Sequence, residues 1–128
     1  MRHLGIDYGR KRIGIAISDP EGKIAFPRRV LTRHSTVQAI REIAELMKCE
    51  KIEQVVIGLP ASLDGRETKM TEEVRAFARV LQKQIKCAVA FENEMLTTKI
   101  ARQAGVKKEH RDASSAALIL QSYLDRIR

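Results

Sequence analysis

Asp7, Glu94 and Asp112 are the residues of this chain whose type and position could do chemistry. Each stands where a patterned segment begins or ends. Asp7 closes an apolar run, Glu94 comes just after the run ending at Phe91, and Asp112 opens the final helical stretch. Taken singly, each has a structural explanation. Asp7 suits a turn, Glu94 suits the amino end of a helix through the macrodipole, and Asp112 suits a helix cap. Brought together, these carboxylates offer the hard oxygen donors that Mg²⁺ or Mn²⁺ takes. Two such ions roughly 3.5–4 Å apart activate water and stabilise the attacking and leaving oxygens of a phosphodiester. The acids are therefore read as both catalytic and metal-binding, with Asp7 as the bridging position.

Basic residues stand beside them. Arg10, Lys11 and Arg12 follow Asp7, while Lys107, Lys108, His110 and Arg111 precede Asp112. Guanidinium and ammonium groups next to a metal site suit the phosphates on either side of a scissile bond, so all seven are assigned to nucleic-acid binding. As isolated charge runs they would be a solvated surface; their placement next to the acids is what favours binding. No histidine has the surroundings of a general base, and His110 is read as a phosphate contact.

The elements must bring these groups together. Met1 to Asp7 reads as a short strand, Tyr8 to Lys11 as a turn and Arg12 to Ser18 as a β-branched strand. Asp19-Pro20-Glu21-Gly22 reads as a hairpin, and Lys23 to Thr32 as a third strand interrupted by Pro27, hence edge or irregular. Ser35 can cap a helix with Val37, Ile40, Ile43, Ala44 and Met47 on its apolar stripe. Gln54 to Leu59 is apolar enough to be buried on both faces. After the loop of Pro60 to Thr68, a second helix shows Met70, Val74, Phe77, Leu81 and Ile85. Cys87 to Phe91 is a short strand, Met95 to Ala104 a helix stopped by Gly105, and residues 107–111 a basic connector. The last helix has Ala113, Ala116, Ala117, Leu120, Leu124 and Ile127 on its apolar side. The predicted order is β-β-β-α-β-α-β-α-α. It makes an α/β fold: a mixed five-stranded sheet, antiparallel meander plus parallel strands, flanked by helices. The strands ending at Asp7 and Phe91 then run parallel, so Asp7 and Glu94 share the carboxyl edge where open α/β sheets place their sites.

The chain has 128 residues, 44% of them hydrophobic, which suits a single domain over 1–128 with a real core. Its 24 Lys and Arg against 16 Asp and Glu leave a net charge of +8, the balance expected for contact with a polyanion. Cys49 and Cys87 form no C-x-x-C pair, so neither a zinc site nor a disulfide framework is read from them. No stretch of about 18 apolar residues predicts a membrane span, and no apolar leader region is visible. A cytoplasmic protein is expected. Aromatics are 4%, too few for a base-stacking platform to dominate recognition.

The run from Leu4 to Asp19, LGIDYGRKRIGIAISD, strongly resembles the opening motif of the YqgF (RuvX) family. Val56-Ile-Gly-Leu-Pro60 with Asp64-Gly65 and Val74-Arg-Ala-Phe-Ala78 resemble its middle region. Glu94 with Leu96-Thr-Thr98 resembles its acidic motif, and Asp112, Ala116-Ala117 and Ile119 to Asp125 its final helix. The family is described as RNase H-like and comprises Holliday junction resolvases or pre-16S rRNA nucleases. The resemblance implies a metal-dependent endonuclease with Asp7, Glu94 and Asp112 as its acids and the 5′ end of precursor 16S rRNA as substrate, in ribosome biogenesis. Three departures stand out. Asn93-Glu94-Met95 replaces the usual Asp-Glu-Arg, the connector before Asp112 is shorter, and a second Gly after Asp64-Gly65 is missing. Glu92 is the acid expected to compensate for the first.

Other readings are carried forward. One is a resolvase acting on branched DNA, which as a homodimer would suit two symmetric cuts. Another is a nucleic-acid-binding protein of the same fold that has lost cleavage. The third is a phosphotransferase relative, because Gly5-Ile-Asp-Tyr-Gly9 also resembles the first phosphate loop of actin-type ATPases; those need a second lobe.

Overall fold

A computed structural model describes residues 1–60, 68–93 and 108–127, with backbone alone for 108–113. The elements are β1 (His3–Tyr8), β2 (Arg12–Ser18), β3 (Ala25–Thr32), α1 (Thr36–Cys49), β4 (Gln54–Leu59), α2 (Lys69–Ile85), β5 (Ala88–Asn93) and α3 (Lys108–Ile127). They form a five-stranded sheet in the order β3-β2-β1-β4-β5. β1 pairs antiparallel with β2 and β2 with β3, whereas β1–β4 and β4–β5 are parallel. This is the expected mixed sheet. The helix expected over Met95 to Ala104 lies outside the described residues.

The turn between β1 and β2 is tight because residue 9 is glycine: a Cβ there would run into the Arg12 carbonyl. The hairpin after β2 is held by Asp19, whose carboxylate accepts from the Lys23, Ile24 and Glu21 amides at 2.7, 2.9 and 3.3 Å. Those bonds keep its pKa below the usual carboxylate value and delay the third strand from the expected Lys23 to Ala25. β3 lies at the sheet edge, and its register with β2 shifts between Ile15 and Ala16, where Ala16 pairs with Pro27. Both roles expected of Pro27 are met.

Strand alternation divides the core into two layers. Leu4, Ile6 and Tyr8 of β1 pack with Ile13, Ile15, Val55 and Ile57 against α1 and α2. On the other face, Ala16 and Val56 pack with Ala116, Ile119, Leu120, Tyr123 and Leu124 of α3. Ser35 caps α1 as expected, accepting from the Gln38 amide. The core stripes differ in part from the predicted ones. Val37 and Ile127 are exposed, whereas Leu46, Ile119 and Tyr123 are buried. Helical spacing identifies an apolar face, but residues at its borders are decided by how each helix rolls on the sheet.

α3 begins at Lys108, so Lys108, His110 and Arg111 stand on the helix rather than in a connector, and Asp112 lies inside it rather than at its cap. The residues from 107 to 127 include neither Gly nor Pro, so nothing stops the helix extending toward its amino end.

Candidate active site

Asp7 is the second-last residue of β1 and is partly buried. It pairs with Gly14 of β2, and one step beyond the Ile6–Ile57 pair its neighbour on β4 is Gly58. Its carboxylate therefore rises from the sheet with no side chain on the adjoining residue of either neighbouring strand. By alternation it shares a face with Gly5, the α3 face. At Gly5 strand and helix come close: a Cβ there would lie 2.8 Å from Leu120 Cβ and 3.0 Å from the Ala116 carbonyl oxygen.

The direction of α3 follows from its contacts along β1. His3, at the start of the strand, faces Tyr123 with ring centroids 6.0 Å apart, and Gly5 faces Leu120 and Ala116. Moving along β1 toward Asp7 thus means moving along α3 toward its amino end. The helical turn bearing Asp112 belongs to the same end of the sheet as Asp7. Glu94 lies outside the described residues. It follows Asn93, the last residue of β5, which is in register with Leu59 at the carboxyl end of β4. Of the predicted acids, Asp7 alone has a described side chain. Among the described residues no group of three metal-ligating side chains occurs.

The basic residues divide. Arg10, Lys11 and Arg12 are exposed around the β1–β2 turn. The Arg10 guanidinium reaches to α2, 3.4 Å from Glu73, on the face opposite Asp7. Lys107 is outside the described residues; Lys108, His110 and Arg111 have their backbone on the first turns of α3. Arg33, just past β3, escaped the sequence reading. Its amide donates to the Lys11 carbonyl at 2.9 Å, which ties it to the basic turn. The β2–β3 pairing, once known, would have pointed to it.

A family model described as "RuvX: Holliday junction resolvase" matches residues 1–126. The chain belongs to the RuvX family. Among its relatives, a Maridesulfovibrio salexigens protein is 37% identical, with 98% of this chain and 99% of that protein covered. One from Syntrophus aciditrophicus is 42% identical over 99% of this chain and 90% of the relative. Both are named "Putative pre-16S rRNA nuclease". The fold is that of Thermus thermophilus RuvC, solved in complex with a Holliday junction, at a TM-score of 0.67. That match has 15% identity and covers 99% of this chain and 96% of RuvC.

Glu92, expected to make good the missing RuvX-type acid at residue 93, has other partners. It is buried, Ser122 Oγ donates to one oxygen at 2.9 Å, and Arg126 Nη2 and Nε donate to the other at 2.8 and 3.1 Å. Hydrogen bonding to Glu92 in turn holds the Arg126 pKa above its usual value. This pair fastens the carboxyl end of α3 to β5, the opposite end of the helix from Asp112.

Proposed function

We propose that this RuvX-family chain is a metal-dependent endonuclease that hydrolyses nucleic-acid phosphodiesters with Asp7, Glu94 and Asp112. The observation that carries the reading is the setting of Asp7. It is a partly buried carboxylate at the carboxyl end of the central strand, flanked by Gly14 and Gly58 and on the face crossed by α3. A carboxylate at that edge offers the hard oxygen donors that Mg²⁺ or Mn²⁺ takes, and the run of α3 opposite to β1 supports Asp112 as a second donor. When bound, divalent ions supply Lewis acidity and a low-pKa water. Asp7, Glu94 and Asp112 would hold the ions, and the cationic residues of the β1–β2 turn and of α3 would orient the flanking phosphates.

The substrate we favour is precursor 16S rRNA, on the names of relatives matched over nearly their whole length, with its 5′ end as the family resemblance implies. The second reading, cleavage of branched DNA, is favoured by the family description and by the fold shared with a junction-bound RuvC. A single domain working in the cytoplasm accommodates either substrate. Purified protein should be assayed with precursor rRNA and a synthetic four-way junction, in Mg²⁺ or Mn²⁺. Asp7→Asn is expected to keep fold and nucleic-acid affinity and to lower cleavage by about 10²–10³-fold. Equal cleavage by variant and parent would defeat the assignment. Metal-dependent product from rRNA but not from the junction, or the reverse, decides between the substrates, and no product from either leaves a binding protein.

A further inference from the structure

Tyr8 follows Asp7 and so faces the opposite layer, where it lines a cavity of about 570 Å³. Arg10, Arg33, Thr36, Glu73 and Phe77 line it with Tyr8. The Arg33 guanidinium lies over the Tyr8 ring, 5.1 Å from its centroid, and Tyr8 packs on Phe77 with centroids 4.7 Å apart. Stacking on a buried ring holds the guanidinium in place while its N–H donors remain available for an anion. Among the described residues no carboxylate pairs with Arg33. Arg10 does have a partner, but at 3.4 Å, with the two side chains 64% and 33% exposed, its bridge to Glu73 is of the weak, screened kind.

We infer that this cavity is a phosphate subsite, in which Arg33 and Arg10 grip the backbone of the substrate strand after it passes over the carboxyl edge of β1. The inference rests on the nuclease reading for what lies at Asp7, and it adds a grip on the other side of the sheet. Asp7 and Tyr8 are consecutive and project to opposite faces, so a substrate strand with its scissile phosphate at Asp7 can pass over the strand end and bring a phosphate farther along to the cavity mouth. The exposed turn of Arg10, Lys11 and Arg12 lies along that path. Glu73 occupies Arg10 in the absence of substrate, and an incoming phosphate takes its place. The site therefore has one residue whose removal weakens binding and one whose neutralisation strengthens it.

The test is fluorescence anisotropy of a labelled single-stranded RNA without divalent metal, across a salt series. Arg33→Gln is expected to weaken binding about tenfold at low salt and to reduce the slope of log affinity against log salt by about 1. Arg33→Lys should recover part of the loss, because the charge returns without the planar fork. Glu73→Gln should tighten binding severalfold. Arg28→Gln, which removes a guanidinium paired with Glu50 at 3.5 Å, serves as the surface control and should stay within twofold of the parent. Binding by Arg33→Gln and Glu73→Gln at parental strength and slope would overturn the subsite. If Arg33→Gln melts early, the sign of the Glu73→Gln effect still decides. Because no metal is present, the result is independent of cleavage. Altered binding in a protein that never cuts sinks the nuclease reading alone, and unaltered binding in an active nuclease sinks the subsite alone.

Discussion

Two acidic side chains near the carboxyl ends of parallel strands stand in different settings. Asp7 stands opposite Gly14 at the carboxyl end of the central strand, on the face crossed by α3. Glu92 stands one residue before the end of β5 and is claimed by Ser122 and Arg126. A buried carboxylate whose oxygens already accept these hydrogen bonds has little left for a cation. Glu92→Gln should therefore cost about 1–2 kcal/mol in urea unfolding, the loss of a pair whose arginine is largely exposed, and leave the metal-dependent cleavage rate within about twofold. A fall in rate approaching that of Asp7→Asn, with stability unchanged, would make Glu92 a ligand after all. The missing Asp at residue 93 was legible in the sequence; whether Glu92 replaces it was not, because its partners are some thirty residues away on α3.

At the scale of elements, the contact between β1 and α3 aligns the proposed site. Gly5 lets the helix backbone approach so closely that a side chain at residue 5 displaces it. Gly5→Val is expected to destabilise the protein by about 1–3 kcal/mol through overpacking, read from urea melts. It should also lower cleavage in conditions where the variant remains folded, since α3 bears Asp112. Parental stability in Gly5→Val would show that α3 rides higher on the sheet than described. The strands were legible because apolar runs and turn residues are local signals, and Pro27 announced the irregular edge. The start of α3 was not. A basic tract between Gly105 and Asp112 reads equally as connector or helix, and with no Gly or Pro to break it the helix extends to Lys108.

For the molecule as a whole, stability carries a pH dependence from His3. The residue is 4% exposed, its ring is close to Tyr123, and Nδ1 lies 3.2 Å from the Met1 carbonyl oxygen. Burial is the main cause that lowers its pKa from 6.5. The unfolded chain thus takes up the proton first as pH falls. Stability contributed by neutral His3 is complete above about pH 6.5 and declines as pH drops from there to the lower folded-state value. Thermal unfolding between pH 7.5 and 5.5 should show Tm falling, and His3→Gln should flatten that part of the curve. A Tm independent of pH over this range in the parent would mean that the ring is solvated.

The local order of residues was sufficient for the mixed sheet, the acids at element ends and the excess of positive charge, because strand periodicity, turn chemistry and net charge act between near neighbours or as sums. Which face each group takes, and what it finds there, arose only in three dimensions. Consecutive residues Asp7 and Tyr8 point to opposite layers, Arg10 turns away to Glu73, and Arg33 arrives beside the basic turn through a strand pairing. Such meetings depend on register and helix placement, which the burial of the entire core sets at once and no short window of sequence contains.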